Sequence, residues 1–398
     1  MSVIIIDDPC VMVHSPQAWQ AKPTTHEGVA DVSSLAYRTA RVFRAGDGMS
    51  PCARGRGRVV NPPLRIGLVG AGWVTQHHLQ GWKRIADDAQ VVAIADPCAV
   101  RARERAHAFG IPAIFSDAGA MLAAGGLDAV DIAAPRAFHA DLARLAASHG
   151  LPILCQKPLA PTLDEARRLI ADIDGKVRLM VHENWRFRAY YRLAAEWLRA
   201  GRIGAVKAAT LQLVTSGTVP DREGRYDALV RQPFLADEPR MLVAEVLIHH
   251  LDTLRMLLGP LTVAAAALSR SCEAIAGEDS AVIHLSTAEG RGVGIFASFA
   301  AHGAATHQSD RLLLLGERGT IPLDGSVLTL SGAEEDTVTF DPQATYSDSY
   351  AAAIGHFVDC LRSGAPFETS SNDNLETLQL VEDCYRMSGF EQQRQSAA

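Results

Sequence analysis

The 398-residue sequence contains no C-x-x-C pair, and its seven cysteines (Cys10, Cys52, Cys98, Cys155, Cys272, Cys360 and Cys384) are odd in number and widely scattered. That distribution argues against a disulfide framework or a zinc knuckle and predicts reduced thiols in a cytoplasmic protein. No apolar run approaches the roughly 18 residues of a membrane span, so no membrane partner is expected. No secretory leader is expected either, since Val3-Ile4-Ile5-Ile6 is too short for an apolar core and runs into Asp7-Asp8. Positive charge is not in excess: 38 Lys and Arg stand against 45 Asp and Glu, for a net charge of -7. Such a chain has no general attraction for nucleic acid or anionic lipid. What is present, 48% hydrophobic and 21% charged residues, is ordinary for a globular protein. The length predicts two domains with cores large enough to need no cross-link.

Residues 1–63 show no sustained apolar period and end in Arg54, Arg56 and Arg58 before Asn61-Pro62-Pro63. A solvated tail outside the fold is expected there, with Met49 an alternative start of translation. From Leu64, short apolar strands (Arg65–Val69, Val91–Ala95, Ala129–Ala133, Pro152–Cys155) alternate with helical stretches such as Ala99–Phe109 and Ala137–His149. Near-continuous apolar strands in that alternation predict an α/β unit over 64–184, a parallel sheet covered on both faces in the manner of a Rossmann dinucleotide-binding domain. After residue 205 the pattern reverses. Lys207–Val214, Ala281–Ser286, Arg291–Ala300 and Arg311–Leu315 follow one another through turns, which predicts an open, mainly antiparallel sheet in an α+β domain over 185–390. Helices are expected over 350–361 and 375–387.

Gly70-Ala71-Gly72 directly follows the first strand and precedes a helical stretch. A glycine pair there permits a tight turn and lets backbone N–H groups approach a pyrophosphate at a helix N-terminus. Trp73 and Val74 continue this loop, and Thr75 replaces a third small residue, which should separate helix from strand slightly. Asp96 ends the second strand, where its carboxylate can accept hydrogen bonds from the adenosine ribose hydroxyls. It repels a 2′-phosphate and so favours NAD, while nearby Arg101 could bind the phosphate of NADP.

The third strand runs out into Ala134-Pro135-Arg136-Ala137-Phe138-His139 and the fourth ends in Cys155-Gln156-Lys157-Pro158. Ligands in open α/β sheets sit beyond the carboxyl ends of the strands, so Pro135, His139, Gln156 and Lys157 join the expected cofactor edge. A lysine beside an oxidised nicotinamide can position a substrate hydroxyl and ease its deprotonation. Further on, helical spacing in Glu245-Val-Leu-Ile-His249-His250 puts Glu245 and His249 one turn apart on one face. A carboxylate so placed can orient the imidazole and raise its basicity. Read alone, the pair could equally be a structural buried histidine with its neighbour. His250 faces another way and reads as structural.

Taken in order, Gly70-Ala-Gly72, Cys155-Gln156-Lys157-Pro158, Asn184-Trp185-Arg186-Phe187 and Glu245 with His249 and Asp252 resemble the glucose-fructose oxidoreductase, inositol dehydrogenase and rhizopine-catabolism family over Arg65 to Met387. The resemblance implies a Rossmann domain followed by an open antiparallel sheet, and hydride transfer between a sugar or cyclitol hydroxyl carbon and NAD(P). It implies that His249 acts as general base with Glu245 orienting it, that Lys157 holds the reacting oxygen, and that Asn184, Trp185 and Arg186 line the substrate side. Two positions depart from the family pattern: Gln156 replaces its glutamate before Lys-Pro, and Glu245 replaces its aspartate. The stretch His182–Phe187, with Gln232-Pro-Phe and Pro239-Arg240, resembles a subgroup that includes apiose dehydrogenases, which oxidise a branched aldose to its lactone.

Other functions stay open on the sequence: an NAD-dependent glycosidase that retains its cofactor, a non-catalytic NAD-sensing protein, or a zinc hydrolase on His249, His250 and Glu245. The last conflicts with the divergence of adjacent histidines on a helix and with the lack of an H-E-x-x-H motif, so no metal is expected. The strand Val293–Phe299 is apolar in both alternation sets, with Phe296 facing away from Ile295 and Ala297. An apolar outer face predicts a homodimer or homotetramer joined through the open sheet.

Overall fold

In a computed structural model the described residues are 62–391 together with a two-residue strand, β1 (Arg41–Val42). Apart from β1 and Pro62–Pro63, the tail expected over 1–63 lies outside the described residues. Six strands, β2 (Leu64–Val69), β3 (Ala89–Ala95), β4 (Ala113–Phe115), β5 (Ala129–Ile132), β6 (Ile153–Gln156) and β7 (Leu179–His182), form a parallel sheet in the order β4-β3-β2-β5-β6-β7. Helices α1 (Thr75–Arg84), α2 (Ala99–Phe109), α3 (Ala118–Ala123), α4 (His139–Ser148) and α5 (Leu163–Ile173) connect the strands. Every residue of β5, β6 and β7 is buried, the signature of a sheet covered on both faces. The order reverses between β2 and β5, and it is beyond such a switch point that ligands sit.

The chain continues through α6 (Ala189–Arg199), β8 (Val206–Val214), α7 (Asp227–Arg231), a π-helical turn over Leu242–Leu247 and α8 (Ile248–Leu258). Strands β9 (Leu261–Ser269), β10 (Ser280–Thr287), β11 (Gly292–Ser298), β12 (Asp310–Gly316), β13 (Gly319–Asp324), β14 (Val327–Gly332) and β15 (Asp336–Thr339) complete a second sheet, ordered β1-β15-β14-β13-β12-β8-β11-β10-β9. Its pairings are antiparallel except where β1 meets β15 and where β11 meets β8. The parallel β11–β8 pair arises because β8 enters the sheet centre long before β11, with α8 and two strands between them. Strands β10 and β11 alternate buried and less buried residues, as a sheet with one covered face does.

Helices α9 (Pro342–Ser363) and α10 (Ser371–Ser388) begin earlier than periodicity alone suggests, because Asp341 and Ser370 accept hydrogen bonds from the Ala344 and Asp373 N–H groups as N-caps. Helix α9 returns to the first sheet and packs on α1. A Cβ at Gly81 would lie 2.7 Å from Ile354 Cδ1, so glycine permits that approach, and Trp82, Ile354 and Phe357 fill the contact. The segment is thus remote in sequence from the domain it stabilises.

Cys155, Cys272, Cys360 and Cys384 are free and buried, whereas Cys98 is disulfide-bonded, so the expectation of reduced thiols fails at that position. No helix among the described residues is long and apolar enough to cross a membrane.

Candidate active site

The glycine loop has the form a dinucleotide needs. Gly70 has φ of 106°, and a Cβ there would lie 2.5 Å from the Ala133 carbonyl oxygen, so no other residue fits. A Cβ built on Gly72 meets nothing within 4 Å, which leaves the loop surface open to an approaching pyrophosphate. Thr75 is fully buried and donates its hydroxyl to Gly70 O at 3.2 Å, so the larger third residue braces the loop. Asp96 accepts from Ala71 N–H and Cys98 N–H, each at 2.7 Å, which fixes its carboxylate beside the loop; its remaining lone pairs can take ribose hydroxyls. Arg101, with 43% of its side chain exposed, places Nη2 3.5 Å from Asp96 Oδ1. Trp73 is exposed beside His77, and Val74 leads into α1. These features fit NAD.

Two of the residues expected at the cofactor edge are braces. Buried His139 has its ring nitrogens 2.7 Å from Pro158 O and 2.8 Å from Ala134 O, tying the loop after β5, which contains Pro135, to the loop after β6. Gln156 accepts from Lys157 N–H at 2.7 Å and its amide reaches His78 Nε2 at 3.1 Å, while His78 Nδ1 donates to Asp131 at 2.9 Å. Every donor in this buried chain points the same way, towards Asp131, and the chain fixes the main chain at Lys157. With a neutral amide at position 156 the chain needs no proton to form.

Three successive strand ends then supply the polar cleft: Arg136 after β5, Lys157 after β6 and Glu183 after β7. Lys157 Nζ donates to Glu245 O at 2.7 Å and to Glu245 Oε2 at 3.2 Å. Arg136 donates to Glu245 Oε1 and to Glu238 Oε2. His249 Nδ1 donates to Glu183 Oε1 at 2.5 Å, and its ring stacks on Trp185 at 4.3 Å with a 12° tilt. The second oxygen of Glu183 is buried with no hydrogen-bond partner among the described residues. Burial pushes the Glu183 carboxyl up to about 7, although the Lys157 charge pulls the other way. Burial, then the Lys157 ammonium, hold His249 well below the usual histidine range.

The expected pairing of Glu245 with His249 is therefore corrected. A helix of 3.6 residues per turn would align them, but Leu242–Leu247 is a π turn, whose wider winding rotates Glu245 off the face of His249. Glu245 reaches Lys157 and Arg136, and Glu183 takes the imidazole. The neighbouring His250 diverges and pairs through Nε2 with Asp310 at 2.9 Å, so the two histidines share no ligand direction.

Two residues expected to line the substrate side turn inward. Arg186 makes a two-pronged pair with Asp252 at 2.6 and 2.5 Å and also reaches Asp373 at 2.8 Å, while Asn184 donates to Ser349 Oγ at 2.8 Å. A short 3₁₀ turn over Trp185–Phe187 sends these side chains into the core, where they pin α8, α9 and α10. Trp185 serves as the platform under His249, with the Arg188 guanidinium 3.4 Å over the indole. Glu183, Arg136 and Glu238 were not singled out from the sequence. Arg136 and Glu183 carry a signal, each lying just past the end of an apolar strand, whereas Glu238 carries none.

Residues 64–183 match the oxidoreductase family with an NAD-binding Rossmann fold, and residues 191–322 match the GFO/IDH/MocA C-terminal domain. The chain belongs to the GFO/IDH/MocA family. It is 37% identical over 331 residues to a D-apiose dehydrogenase of Paraburkholderia graminis, covering 80% of this chain and 86% of that protein. It is 31% identical to an inositol 2-dehydrogenase of Rhizobium meliloti, covering 81% and 96%. Its fold is similar to that of an oxidoreductase from Agrobacterium radiobacter solved with NAD+, L-tartaric acid and magnesium, with a TM-score of 0.76, 29% identity and coverage of 82% and 96%. As a GFO/IDH/MocA protein, it carries an NAD-binding Rossmann domain followed by the family's C-terminal sheet domain.

Proposed function

We propose that the protein is an NAD-dependent dehydrogenase that oxidises a hydroxyl-bearing carbon of a sugar or cyclitol, D-apiose and inositol being the first compounds to test. The observation that carries this reading is the convergence of Lys157, from the Rossmann domain, with His249, from the sheet domain, each held by a carboxylate. Gly70, Gly72 and Asp96 would hold NAD, which when bound supplies the hydride acceptor. His249 has Nδ1 committed to Glu183, so Nε2 is the nitrogen left to take the substrate hydroxyl proton. Lys157 spends two hydrogen bonds on Glu245 and keeps one donor for the substrate oxygen, where negative charge grows as the proton leaves. Glu183 orients the base and stabilises the charged ring. Trp185 closes one face of the imidazole against water.

The relatives named for D-apiose and inositol support the substrate class. A screen of aldoses, cyclitols and sugar acids, following NADH absorbance with NAD and with NADP, tests the reading. Tight NAD binding with no NADH from any compound would sink it; glycoside cleavage with retained cofactor would assign a glycosidase instead. The apolar outer face of the second sheet supports a homo-oligomer joined there.

A further inference from the structure

Arg136 and Lys157 meet across Glu245 at the carboxyl edge of the first sheet. Lys157 holds one carboxylate oxygen of Glu245, and Arg136 Nη1 holds the other. Arg136 Nη2 is taken by Glu238, which lies in the loop leading to the π turn and outside every motif. The Arg136 and Glu238 side chains are 20% and 21% exposed, so the pair is partly open to solvent. Two cations and two carboxylates thus alternate in one row, Lys157–Glu245–Arg136–Glu238, with no net charge. Arg188, packed beside Trp185, lies over its indole and has Asp310 at 3.5 Å. None of these three cations offers a ligand an unopposed charge.

We propose that Glu238, acting through Arg136, makes the pocket select uncharged polyhydroxy substrates against acids of the same carbon skeleton. The proposal rests on the dehydrogenase reading above. A guanidinium captures a carboxylate best with two parallel N–H groups, and here both terminal nitrogens of Arg136 are already donating to protein carboxylates. A substrate carboxylate would therefore have to displace Glu238 or Glu245, or lie beside them as a like charge in a partly desolvated cleft. Substrate hydroxyls meet no such penalty, because they can donate to the unused lone pairs of the same carboxylates and accept from Lys157. Selection thus comes from a repulsive element as much as from an attractive one.

The test compares a sugar that the enzyme oxidises with the uronic acid that differs from it only at the primary alcohol. The ratio of kcat/KM for acid to sugar is expected at or below about one tenth in the wild type. In Glu238→Gln, which keeps an acceptor for Arg136 Nη2 but removes the negative charge that opposes it, that ratio is expected to rise about tenfold. Calorimetric titration of the NADH-loaded protein with the uronic acid should report the same order of preference without turnover. A wild-type ratio near one, or a variant with normal NAD binding whose ratio stays within about twofold of the wild type, would overturn the proposal. A protein that reduces NAD with no sugar, no cyclitol and no acid overturns the dehydrogenase reading, and charge selection falls with it. Turnover of the acid alone overturns only the charge selection.

Discussion

Glu183 Oε1 accepts the Nδ1–H of His249 at 2.5 Å, so a carboxylate at the end of a Rossmann strand orients an imidazole on a helix of the other domain. Burial holds the Glu183 carboxyl near 7 and His249 well below its ordinary value, so the pair takes up one proton as a unit near neutrality. The base is free only after that proton has left. Accordingly, kcat/KM should rise with pH through about 7. In Glu183→Gln the titrating carboxyl is gone while an acceptor for Nδ1–H remains, so the rising limb should move to lower pH and kcat should drop about tenfold or more. A limb that stays in place would assign the titration to another group.

The same carboxyl predicts a stability difference. Folding favours the protonated form of Glu183 between its ordinary value of 4.5 and about 7, so its contribution is fully present below 4.5 and is lost as pH rises through about 7. Glu183→Gln cannot suffer that loss. The difference in Tm, variant minus wild type, is therefore expected to become more positive from about pH 5 to about pH 8 in scanning calorimetry. A flat difference would mean that the buried carboxyl does not titrate in this interval.

Lys157 and His249 act on one proton transfer from opposite domains. Lys157→Ala and His249→Ala are each expected to lower kcat about 10²-fold, with NAD affinity changed by no more than a few-fold. The double variant should lose far less than the product of the two losses. Fully multiplicative losses in single-turnover kinetics would show that the two side chains act in separate steps.

The sequence made the scaffold of this site legible but left half of its charges unread. Gly70, Asp96 and Lys157 could be placed because each follows a strand whose apolar run is plain, and strand ends are where open α/β sheets present ligands. The antiparallel sheet was legible from alternation, yet its parallel β11–β8 pair was not, since pairing partners far apart in sequence leave no local trace. The exchange of Glu245 for Glu183 was hidden for a different reason. Helical spacing assumes 3.6 residues per turn, and nothing local in Leu242–Leu247 announces a π turn, which is held from outside by Glu278 accepting the Val243 N–H at 2.8 Å. Arg136 and Glu238 lie 102 residues apart, and their pairing, like that of Arg136 with Glu245, exists only once the two domains are brought together.

Coenzyme preference follows from Asp96. Its carboxylate is fixed by two backbone N–H groups at 2.7 Å, so it cannot swing away from a 2′-phosphate. NAD should exceed NADP in kcat/KM. Asp96→Ser removes the charge while Arg101 stays nearby, and should shift the ratio toward NADP by about tenfold or more. A wild-type preference for NADP would show that Arg101 covers the phosphate and that Asp96 does not discriminate.

The outer face of the second sheet makes the last case. Val282 and Phe296 stand directly opposite one another on β10 and β11, and remain 55% and 46% exposed. Ala267, on β9, is the partner of Val282 on its other side and is also exposed, so an apolar stripe crosses three strands. Cross-strand neighbours on one face form a continuous surface, and an apolar surface of that kind in water favours contact with a matching surface. A second copy of the same face is self-complementary across a two-fold axis, and closed symmetry of this sort is the commonest route to a soluble oligomer. Phe296→Glu replaces the largest side chain of the stripe, at its β11 end, with a charge without touching the buried side of the strand, so the fold should survive while association is lost. Sedimentation at micromolar concentration is expected to show a dimer or tetramer for the wild type and a smaller species for Phe296→Glu. A wild-type monomer would mean that the stripe serves another purpose, and an oligomer unchanged by the substitution would move the interface elsewhere on the molecule.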